Sequence, residues 1–137
     1  MDGGRSRRRD DGAAAVEFAL VAPLLILLLM GIISYGYMLS FRQSVSQAAA
    51  EGARAAAVAP VTANREAIAK AAVASAMGVT CGSTYLACTV AFPVTCTCVE
   101  VTVVHSYEAD PSKPVFLGLG LVMPDKLTYK AVAEVNQ

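Results

Sequence analysis

Glu17 sets a carboxylate at the mouth of an apolar stretch: from Phe18 to Phe41 the chain runs through 24 residues without a charge. An acidic side chain deep in a membrane span costs about 3 kcal/mol on insertion scales, so such a group calls for a partner, a water path or a functional role. The chain can supply the partner itself. Cleavage after Gly12 would free an α-amino group on Ala13, a cation near Glu17 along the helix and able to meet the Glu17 of a neighbouring copy. Pairing amine and carboxylate between subunits offsets the cost of burying both, and it selects an axial register because a misplaced subunit leaves a bare charge. Such a cut would make Gly12 and Ala13 a processing site, and Ala13 and Glu17 an assembly charge pair.

Four thiols are the other residues with chemistry to offer: Cys81, Cys88, Cys96 and Cys98, all beyond the apolar stretch. Their spacing lacks the paired C-x₂-C knuckles usual in structural zinc sites, and an exported compartment with a small core favours disulfides. Residues 96 and 98 would share one face of a strand, where a direct bond is strained, so the expectation is that Cys81 and Cys88 bond to Cys96 and Cys98, as 81–96/88–98 or 81–98/88–96. His105, on a strand beside Ser106, lacks the strand-turn-helix elbow and partners that a nucleophilic site needs. Asp110, Glu108 and Glu100 could come together, but paired carboxylates without a cleft predict nothing. The glycines of Leu117-Gly-Leu-Gly-Leu121 sit in an apolar run with no following helix signal. The reading is no enzyme, no cofactor and no metal.

These residues must be positioned by a small number of elements. The chain has 137 residues, is 55% hydrophobic and carries a net charge of zero, enough for one span and one small head. The basic residues after Gly12 are scattered rather than gathered into a stripe, which speaks against nucleic acid. Arg5, Arg7, Arg8 and Arg9 do cluster, ahead of the span, and the positive-inside rule keeps that end in the cytoplasm and exports the head. The span, about residues 18–40, is too long for the h-region of a secretory signal peptide, and no good small-x-small site follows it directly.

The helix is expected to run over 13–59, since Ala-rich sequence continues to Pro60. Pro23 removes one backbone hydrogen bond inside the span and favours a kink there. Ala48, Ala49, Ala50, Gly52, Ala53, Ala55, Ala56 and Ala57 leave little bulk, so this stretch can meet neighbouring helices in a filament or lie against its own head, on opposite faces if both. The head, residues 60–137, should open with a second helix over 63–77, capped by Thr62 or Asn64, ended by Gly78 and apolar along Ile68, Ala71, Ala72 and Ser75. Strands are expected over 85–92, 98–107 and 127–135. The apolar run Val115–Met123 between the last two should be buried within the head, against another subunit or at the membrane. The fold class is α+β: a long N-terminal transmembrane helix, then a small exported head with one helix and a three- to four-stranded antiparallel sheet.

Gly12, with Glu17 five places after the scissile bond and then Phe18 as the motif's aromatic, resembles the prepilin-peptidase site of type IV pilin-like proteins. The stretch Ala13–Arg54, opening Ala-Val-Glu-Phe-Ala-Leu-Val-Ala-Pro and closing Gln47-Ala-Ala-Ala-Glu-Gly-Ala-Arg54, resembles more narrowly the TadE-like minor pilins of tight-adherence (Flp) pili, and Leu127-Thr-Tyr-Lys-Ala-Val-Ala-Glu resembles that family's last strand. The resemblance implies a structural pilus subunit needed for assembly or adhesion. A prepilin peptidase would remove residues 1–12, and the partners would be other pilin subunits, the inner-membrane assembly machinery and, before assembly, membrane lipid. The protein would pass once through the inner membrane and reach a surface pilus. The competing reading is an uncleaved signal-anchored envelope protein whose exported head binds a partner.

Overall fold

The computed structural model describes residues 4–60, 62–107, 109–111 and 125–135, with side chains from Gly12 onward. Its elements are α1 (Gly4–Val58), α2 (Arg65–Met77), β1 (Leu86–Ala91), β2 (Cys98–Ser106) and β3 (Lys126–Glu134). Contacts divide the chain into two compact units, Met1–Tyr37 and Met38–Gln137.

The first unit is helical, and its surface is the notable property. Phe18, Leu20, Leu24 and Leu27 are each about 70% exposed, and so, to a lesser degree, are the other large apolar residues from Val16 to Ile33. A helix this long, with so much apolar surface uncovered among the described residues, fits a single-pass membrane anchor by length and composition. Pro23 lies within α1, and the helix assignment continues on either side of it.

The second unit joins the outer part of α1 to α2 and a three-stranded antiparallel sheet of order β1-β2-β3. Strand β2 is central because it alternates: Val99, Val101, Val103 and His105 are buried on one face, with Glu100, Thr102 and Val104 on the other. The β2–β3 register sets Val101 against Ala131 and Val103 against Tyr129, so β3 presents small or aromatic residues to the same face. Helix α2 starts where Asn64 accepts a hydrogen bond from the Ala67 amide at 3.0 Å, and it stops at Gly78, whose φ of 69° closes the last turn in the left-handed region. The buried line of α2 is Ala69 and Val73, with Met77 packed behind them. Ala71 and Ser75, expected on that face, are exposed; small residues all around this helix made the sequence stripe degenerate, and packing chose a neighbouring one.

The Ala-rich part of α1 settles against its own head. Ala48, Ala49, Ala53, Ala56 and Ala57 are buried with Phe41 and Val45, in one core with Val73, Leu86, Val101 and Leu127. Gly52 leaves no room for a side chain: a Cβ there would lie 2.6 Å from Val73 Cγ2 and 3.2 Å from the Ala69 carbonyl oxygen. The opposite face of this stretch, with Gln43, Gln47, Ala50, Glu51 and Arg54, is exposed. Beyond α1, Arg65 donates through Nε and Nη2 to the Ala59 carbonyl at 3.2 and 3.1 Å, a cation against the outgoing end of the helix dipole.

Candidate functional site

The residues expected to serve processing and assembly all lie on α1. Gly12, Ala13, Glu17, Phe18 and Pro23 are exposed, and space around a Cβ at Gly12 is open. Ala13 and Glu17 are four residues apart, one helical turn, which puts them on one face about 6 Å apart along the axis. Among the described residues the Glu17 carboxylate has neither a hydrogen bond nor an ion pair. A carboxyl group on an exposed apolar helix with no partner among the described residues is an unfinished interaction.

The cysteines depart from expectation. Cys81 is bonded to Cys88 and Cys96 to Cys98, with Cα–Cα distances of 5.4 and 5.2 Å. The β1–β2 register explains why the cross-hairpin pairs do not form. Ala91 faces Glu100, so Cys98 lies opposite position 93, and Cys88 is five residues further along β1, about 17 Å away at strand spacing. The premise that Cys96 belongs to the strand also fails, because residues 94–97 form a turn and β2 begins at Cys98. Cys88 is reached instead from its own side: Gly82, at φ 91°, donates its amide to the Leu86 carbonyl at 2.8 Å and folds residues 81–85 back along β1.

The head's titratable groups sort differently from the sequence reading. Glu100 pairs with Lys130 at 2.9 Å on the outer face of the sheet and does not approach Asp110, while Glu108 lies outside the described residues. His105 Nε2 and Asp110 Oδ2 are 3.1 Å apart, with both side chains about 2–3% exposed. Phe41 meets the imidazole edge-on, with ring centroids 4.6 Å apart, and Tyr85 does so at 5.8 Å. The pair ties the end of β2 to the turn after Tyr107, where the Asp110 amide also donates to the Tyr107 carbonyl at 3.4 Å. Among the described residues the histidine is thus buried between aromatic rings and a carboxylate, as part of the packing of the head. The run Val115–Met123, singled out as a candidate surface, lies outside the described residues.

One contact was invisible in the sequence. Arg42 Nε donates to Tyr129 Oη at 3.1 Å, across 87 positions of chain. The only advance signal was that Arg42 is the first charge after the apolar stretch.

Residues 12–54 match the model of a family described as TadE-like protein. The match opens at Gly12, takes in Glu17 and the exposed apolar helix, and closes at Arg54 on the open face of α1. TadE-like proteins are structural and pilus-associated, which points to involvement in a tight-adherence pilus. No curated protein and no solved structure matches the chain.

Proposed function

We propose that this chain is a pilin-like structural subunit, processed by a prepilin peptidase after Gly12 and required for assembly or adhesion of a tight-adherence, type IV-like pilus. The observation that carries the reading is the TadE-like match beginning at Gly12, with Glu17, which has no partner among the described residues, on the exposed apolar helix behind it. Processing removes the arginine-rich leader, residues 1–12, and leaves 7 basic and 8 acidic side chains, a net −1 in which Glu17 is the odd charge. The amine freed on Ala13 supplies the missing cation. Within one helix it lies a turn from Glu17, and between parallel copies offset by about 6 Å along the axis it sits level with the neighbour's carboxylate. The subunit waits in the inner membrane as a single-pass protein with its N-terminus in the cytoplasm and its head outside. Other pilin subunits and the assembly machinery then draw it into the filament.

The deciding experiment reads the N-terminus of protein isolated from its own cell envelope, by intact mass and terminal peptide sequencing. A terminus at Ala13 supports the reading. Gly12→Val should leave the leader in place, and Glu17→Ala should be processed normally yet fail to enter pili. A native terminus at or near Met1, unchanged by Gly12→Val, would sink the proposal and leave an anchored head that docks an envelope partner.

A further inference from the structure

We infer that the groove between α1 and the edge strand β3 is a seat for the phosphate of a membrane phospholipid, with Arg42 as its cation. This assignment is independent of cleavage and shares with the pilin reading only the membrane span.

The groove is shallow, about 570 Å³, and is lined by Leu39, Arg42, Gln43, Ser46, Gln47 and Tyr129. That volume is in the range that accommodates a small polar headgroup. Its chemistry is one-sided. It offers a guanidinium, two amides, a hydroxyl and a phenol, and no carboxylate. Arg42 has no carboxylate partner among the described residues. Its one bond is from Nε to Tyr129 Oη at 3.1 Å, which fixes the plane of the guanidinium and leaves both terminal nitrogens for an incoming anion. Ser46 stands four residues on along α1, on the same side of the helix, where its hydroxyl can serve a second oxygen.

Position names the anion. Arg42 is the first charge after 24 uncharged residues, so with the span in a bilayer it sits at the headgroup layer on the side where the head lies. Leu39, at the end of the groove nearer the span, is 39% exposed and suits the start of an acyl chain. An apolar floor followed by a held cation and neutral donors is the order in which a phospholipid presents its glycerol and phosphate.

The test uses the full-length chain in nonionic detergent, titrated with phosphatidylglycerol or with diacylglycerol of the same acyl chains, and counts bound lipid by native mass spectrometry. One phosphatidylglycerol should be retained per chain, and diacylglycerol should not. Arg42→Gln should weaken retention about tenfold, the scale of one exposed charge-assisted contact. Tyr129→Phe should weaken it by about two- to threefold with an unchanged melting temperature, since the phenol only orients the guanidinium. Ser46→Glu, a substitution at an exposed helix position, should abolish retention by bringing a carboxylate into the groove. Arg54→Gln, on the same helix and outside the groove, should retain lipid like the wild type. Equal retention of diacylglycerol, equal losses from Arg42→Gln and Arg54→Gln, or undiminished retention by Ser46→Glu each overturns the assignment. So does a lipid-insensitive dimer that Arg42→Gln disrupts, which would give the groove to a second copy of the chain.

Discussion

A methyl group at position 52 has nowhere to go. The nearest atom, Val73 Cγ2, would be 2.6 Å away and belongs to a β-branched side chain with little rotamer freedom, so α1 and α2 must part. Alanine's better helix propensity returns about 1 kcal/mol, less than overpacking removes. Gly52→Ala should therefore lower stability by about 1–2 kcal/mol, seen as a reduced urea midpoint of the detergent-solubilised chain. The buried His105–Asp110 pair should be costlier to break. Asp110→Ala removes the carboxylate held 3.1 Å from the imidazole beneath Phe41 and should cost on the order of 3 kcal/mol, read in the same way. A variant as stable as the wild type would show that this pair does not hold the turn. Glu17 stands out in the sequence because a charge beside an apolar run is anomalous on its own, whatever role it proves to have. Gly52 and His105 do not, because their meaning depends on Val73 and Asp110, residues that only folding brings near.

At the level of elements, local signals served well and long-range ones poorly. Asn64 and Gly78 bound α2 as cap and stop, and the Val- and Thr-rich runs became the three strands within a residue or two of expectation. Asn64→Ala should cost about 1 kcal/mol, since the Ala67 amide loses its acceptor, and an unchanged urea midpoint would remove the cap from the account. Register was the missing information for the thiols. Knowing that two strands form a hairpin does not say which residues face each other, and five positions separate Cys88 from the place opposite Cys98. Peptic digestion in acid without reductant, cutting between Cys88 and Cys96, should yield two separate crosslinked fragments. A single fragment holding all four cysteines would restore the cross-hairpin pairing. The lipid groove was out of reach for the same reason: Arg42 could be seen as a boundary charge, but not that Tyr129 would come to hold it.

For the whole molecule, the apolar surface from Val16 to Ile33 decides where the chain can reside. The hydrophobic gain over thirteen exposed large apolar residues far exceeds the cost of one carboxylate at about 3 kcal/mol. The wild type, Gly12→Val and Glu17→Ala should all remain with membranes in alkaline carbonate and be released by detergent; extraction of Glu17→Ala alone would mean that the charge, not the span, anchors the chain. The disulfides matter on this scale for what they leave unjoined. They close over sequence separations of 7 and 2, and both are complete by residue 98. In the proposed orientation, with the head exported from its N-terminal side, each pair of thiols emerges together before β3 has crossed the membrane, so the order of export would favour these partners with no reshuffling step.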